Sequence, residues 1–64
     1  MSYKIQKTIY GRFNYWLTYK NGIELWNGLI DNGNVFTKEA ADRIVNKLTT
    51  KKTIVENFSI VPFI

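Results

Sequence analysis

Phe13-Asn14-Tyr15-Trp16-Leu17-Thr18-Tyr19-Lys20-Asn21-Gly22-Ile23-Glu24-Leu25-Trp26 reads as two β-strands meeting at a turn, and its pairing decides the fold. Phe13, Tyr15, Leu17 and Tyr19 alternate with Asn14, Trp16, Thr18 and Lys20, the period-two pattern of a strand with distinct faces. A two-residue loop at Asn21-Gly22 sets Leu17 opposite Trp26 and Thr18 opposite Leu25, which leaves both faces mixed. A three-residue loop ending in a left-handed Gly22 instead pairs Tyr19 with Ile23, Leu17 with Leu25 and Trp16 with Trp26. That register collects the aliphatic side chains on one side, and a slip of one residue undoes the sorting. The three-residue loop is therefore expected, with both indoles side by side on the sheet face turned away from the core.

Outward from the hairpin, Tyr3, Ile5 and Ile9 alternate with Lys4, Gln6 and Thr8, giving a first strand whose apolar side is interrupted by Lys7. Tyr10-Gly11-Arg12 is the turn into the second strand, and the turn-prone Asn27-Gly28 and Asp31-Asn32-Gly33-Asn34 flank Leu29 and Ile30. A helix follows: Thr37 suits the N-cap, Glu39 complements the positive helix end, and Ala40, Ala41, Ile44, Val45 and Leu48 form one apolar face. Thr53 to Val61 is β-branched and aromatic enough for a closing strand that ends at Pro62. The expected fold is one small α+β domain over residues 1–64, β-β-β-α-β, with a mostly antiparallel sheet in the order 4-1-2-3. One helix covers one face. Counting strand directions places the last strand parallel to the first, joined by a right-handed crossover.

A chain of 64 residues buries only about 60% of its unfolded surface, so it needs reinforcement from somewhere. With no cysteine and no histidine, disulfides and the usual zinc sites are excluded, and no cofactor is expected. Dense aromatic packing and self-association are the remaining routes, and the 16% share of Phe, Trp and Tyr favours the first. No imidazole is present to act as a base, and Glu24, Asp31, Glu39, Asp42 and Glu56 are scattered over different elements, so an enzyme is not expected. No glycine opens a phosphate-binding loop, and the Asp31 stretch lacks the distal glutamate of a calcium loop. Neither a signal peptide nor a membrane span is readable, and the missing cysteine fits a cytoplasmic protein.

Two surfaces are candidates for binding. Trp16, Thr18, Lys20, Glu24 and Trp26 would form an outer aromatic platform for a larger protein partner. The same indole pair could equally serve the hairpin as a cross-strand contact, or be covered by the apolar tail Val61, Phe63 and Ile64. Arg12, Arg43, Lys47, Lys51 and Lys52 would contact nucleic-acid phosphates, or simply solvate the helix and offset its dipole, within a net charge of +4. On the expected register the cations and indoles lie on opposite sides of the sheet, which counts against a joint single-strand footprint. The apolar tail is expected to complete the core; alternatively it joins two copies through a sheet edge, giving a homodimer or a self-assembling structural protein.

Asn34-Val35-Phe36-Thr37-Lys38-Glu39-Ala40-Ala41-Asp42-Arg43-Ile44-Val45, after a Trp/Tyr-rich hairpin and before a closing strand, resembles small accessory proteins of bacteriophages and prophages. The resemblance covers most of the chain as a hairpin–helix–strand pattern and carries no functional residue across. It implies a non-enzymatic protein, acting in the host cytoplasm, that binds a larger host protein or complex and inhibits or redirects it.

Overall fold

Alternating side chains build three strands and a fourth closes the sheet: β1 Tyr3–Ile9, β2 Phe13–Lys20, β3 Ile23–Asn27 and β4 Glu56–Pro62. A 3-10 turn at Ile30–Asn32 and a helix, α1, at Lys38–Thr49 lie between β3 and β4. The computed structural model describes residues 1–63; Ile64, read above as part of the apolar tail, lies outside the described residues. The sheet order is β3-β2-β1-β4. This is the expected order read from the other edge.

Three expectations are overturned. The β2–β3 register pairs Lys20 with Ile23, Thr18 with Leu25 and Leu17 with Trp26. The loop is thus the two residues Asn21 and Gly22, whose φ values of 54° and 77° are those of a type I′ turn. Its backbone twist matches that of the strands, and this outweighs tidy sorting of aliphatic residues. The closing strand is antiparallel to β1, pairing Ile5 with Ile60 and Ile9 with Glu56. Its ladder starts at Glu56, because Glu56 Oε1 accepts the Thr53 backbone N–H at 3.0 Å and turns the preceding residues away.

The strand-direction count missed a reversal. After β3 the chain crosses the face bearing Trp16, where the 3-10 turn packs on β2. It then passes between the ends of β1 and β2, whose pairing stops at Gln6 and Trp16. In that gap the Asn34 N–H donates to the Leu17 carbonyl at 2.9 Å, and Phe36 exchanges two backbone hydrogen bonds with Tyr3 at 2.8 and 2.9 Å. The segment carries the chain to the opposite face and back to the Tyr3 end. From there α1 runs toward the Ile9 end, and β4 returns antiparallel.

Helix entry follows the sequence. Thr37 accepts a hydrogen bond from the Ala40 N–H at 3.2 Å, satisfying one of the free donors of the first turn. Ala41, Ile44, Val45 and Leu48 face the sheet, and α1 rests on β1 and β4. The core beneath it centres on Ile5, Leu17 and Ala41, ringed by Tyr3, Trp26, Phe36 and Ile60.

Candidate functional site

The hairpin register separates the two tryptophans. Residues paired across a ladder share a face, so Leu17, Trp26 and Glu24 lie on the helix side, while Trp16, Thr18 and Lys20 lie on the other. The five-residue outer platform is therefore overturned: no single surface presents Trp16, Thr18, Lys20, Glu24 and Trp26 together. Trp16 is only 8% exposed. Gly33 presses so closely that a Cβ there would stand 3.0 Å from the Trp16 Cβ. The Thr18 hydroxyl donates to the Asn32 carbonyl and pins the same segment. Lys4, on the strand side opposite Ile5, is buried beside it, its ammonium donating to the Ile30 carbonyl and lying 4.0 Å over the Phe63 ring. Phe63 thus lies on this face over Lys4, whereas the tail reading had it covering both indoles, which the register separates.

Trp26 belongs to a different environment. Its indole N–H donates to Glu24 at 2.9 Å, its ring lies 5.8 Å from that of Phe58, and the Lys7 ammonium sits 4.4 Å over it. Because α1 rests on β1 and β4, the β2–β3 half of the helix-side face stays partly uncovered. A cleft of about 570 Å³ opens there, alongside the helix. Tyr19, Trp26 and Phe58 supply its aromatic surface. Lys7, Arg43, Lys47, Lys51 and Lys52 bring five cations to its walls against two carboxylates, Glu24 and Glu56.

Most of that positive charge has no protein counterion among the described residues. Among the described residues, the ion pairs are Lys7–Glu56 at 3.8 Å and Lys38–Asp42 at 2.8 Å. Lys52 reaches the Glu56 carbonyl at 3.1 Å and Asn57 at 3.5 Å, which ties the α1–β4 connection to the start of β4. Arg43 and Lys47 project from successive turns of α1 and Lys51 from the turn just beyond it, with no carboxylate within ion-pair distance among the described residues. The Glu56 carboxyl is held below its usual range, first by the Thr53 backbone N–H and also by Lys7.

The structure thus gathers four of the expected cations, Arg43, Lys47, Lys51 and Lys52, beside Trp26 and Glu24. Arg12 stands apart in the β1–β2 turn, its guanidinium 5.6 Å from the Phe13 ring, outside the cleft lining. Lys7, Tyr19 and Phe58 were not read as site residues in the sequence. The signal for Lys7 was present: a lysine at an inward position of β1 marks a place where the interior reaches solvent or an acid.

Among the described residues no cluster of three or more His, Cys, Asp or Glu side chains could hold a metal ion, and no helix is long and apolar enough to cross a membrane. Protein-family models, characterised proteins and solved structures yield no match to the chain.

Proposed function

We propose that this protein is a non-enzymatic interaction module that takes an anionic partner into the cleft beside α1. One observation carries the reading: Arg43, Lys47 and Lys51, with no carboxylate within ion-pair distance among the described residues, border an aromatic surface formed by Tyr19 and Trp26. Aromatic surface supplies binding energy at low conformational cost, and the cations supply attraction to acidic groups. A small accessory protein of the phage type, inhibiting or redirecting a larger partner, fits such a surface. Nucleic acid is the second reading, favoured by the finding that Trp26 and the cations share one side of the sheet.

The test is titration with polyglutamate and with oligothymidylate, following tryptophan fluorescence across a salt series. Binding to at least one polyanion is expected, weakening as salt rises, and Lys47→Glu/Lys51→Glu should abolish it while the circular dichroism spectrum stays unchanged. Indifference of the wild-type chain to both polyanions at low salt would sink the reading.

A further inference from the structure

The β3 edge forms one wall of the cleft. Residues closing a two-residue hairpin exchange hydrogen bonds, and bonded pairs alternate along an antiparallel ladder. Ile23, Leu25 and Asn27 therefore direct their peptide groups toward β2, while Glu24 and Trp26 direct theirs outward from the end strand of the sheet. That edge has unusual side chains for an unprotected one: Ile23 is 62% and Leu25 44% exposed on the face away from the helix.

We propose that β3 and the cleft together bind an extended peptide that adds to the sheet as a further strand, with apolar and acidic residues on alternate sides. This rests on the anionic-partner reading above. Alternation follows from the pleat: one side of an added strand covers Ile23 and Leu25, and the other faces Trp26, Lys47 and Lys51. Glu24 sets the register. Its carboxylate is held in place by the Trp26 indole, so the incoming residue that faces it is neutral and its neighbours on that side are acidic. A peptide can skip a charge at one position, whereas a nucleic-acid backbone carries one on every unit and meets Glu24 wherever it follows this wall. The Lys7 ammonium and the Phe58 ring also occupy the surroundings of Trp26 that a stacked base needs.

The experiment uses the full chain and a fluorescein-labelled peptide of sequence Val-Thr-Val-Glu-Val-Glu-Val, with binding read by anisotropy at low salt. Three competitors accompany it: the same peptide N-methylated on alternate residues, a version with lysine for glutamate, and oligothymidylate. The parent peptide should bind and the lysine version should not. N-methylation should weaken binding about tenfold or more, the equivalent of losing roughly one hydrogen bond. Glu24→Pro should bind the parent peptide about tenfold more weakly than Glu24→Gln, which loses the same charge, since proline is tolerated where the N–H points off an edge. The N-methylated peptide tests the same bond if that variant fails to fold. Equal binding of the N-methylated and parent peptides overturns strand addition and leaves the anionic cleft standing. Binding of oligothymidylate without the peptide does the same and makes nucleic acid the occupant. Silence from every probe overturns both. A concentration-dependent dimer that buries β3 and excludes the peptide overturns strand addition in favour of a second copy.

Discussion

Gly22 sits at φ 77°, and a Cβ built on it meets nothing within 4 Å. The cost of a side chain there is therefore backbone conformation alone, about 1–2 kcal/mol for an L-residue in the left-handed region. Gly22→Ala should lower unfolding stability by that amount in urea melts, without changing the fold. Glu56 offers a second test. Its folded carboxyl titrates below the ordinary value of 4.5, so its contribution is present above that pH and is lost as pH falls through the lower folded value. The melting-temperature difference between wild type and Glu56→Gln should hold steady near neutrality and shrink on acidification. A difference that grows toward low pH would contradict the Thr53 and Lys7 contacts.

At the scale of elements, both sheet faces are partly covered, each by a different segment. The Leu29–Gly33 stretch and Phe63 lie on the Trp16 side, and α1 lies on the Trp26 side. The outer-platform register implied that Trp16→Ala and Trp26→Ala would leave the fold largely intact. The observed packing reverses this for Trp16: truncating a buried tryptophan costs about 3–5 kcal/mol, comparable with the whole stability of a domain this small. Trp16→Ala should therefore unfold the chain at room temperature. The milder Trp16→Phe and Trp26→Phe variants each leave one reporter. Acrylamide should quench Trp26 in the first and spare Trp16 in the second.

For the whole molecule, charge is unevenly distributed: five of nine lysines and arginines line one cleft. A ligand that binds only the folded state adds stability by mass action, about 2.7 kcal/mol at a hundred times its dissociation constant. In a domain of this size each kcal/mol moves the melting temperature by roughly 4–8 °C. A saturating polyanion should thus raise the melting temperature of the wild type and leave that of Lys47→Glu/Lys51→Glu in place. An equal rise in both would place the bound anion outside the cleft.

The strand alternation, the place of the hairpin turn though not its length, the Thr37 cap and the apolar face of α1 were legible in residue order, because each is a local property of backbone geometry. So was the clustering of Arg43 and Lys47, which follows from helical spacing, with Lys51 just beyond the helix end. The sequence alone thereby determined the elements, the sheet order and which helix residues carry charge. Tertiary structure decided the rest. Judging the hairpin by aliphatic sorting presumes one buried face, and that presumption failed once Gly33 packed on Trp16 and Phe63 on Lys4. The direction of β4 likewise depended on Asn34–Phe36 entering between β1 and β2, a pairing between residues far apart in the chain. Which indole joins the cations was settled there, since the facing of a strand depends on what packs against each side of the sheet.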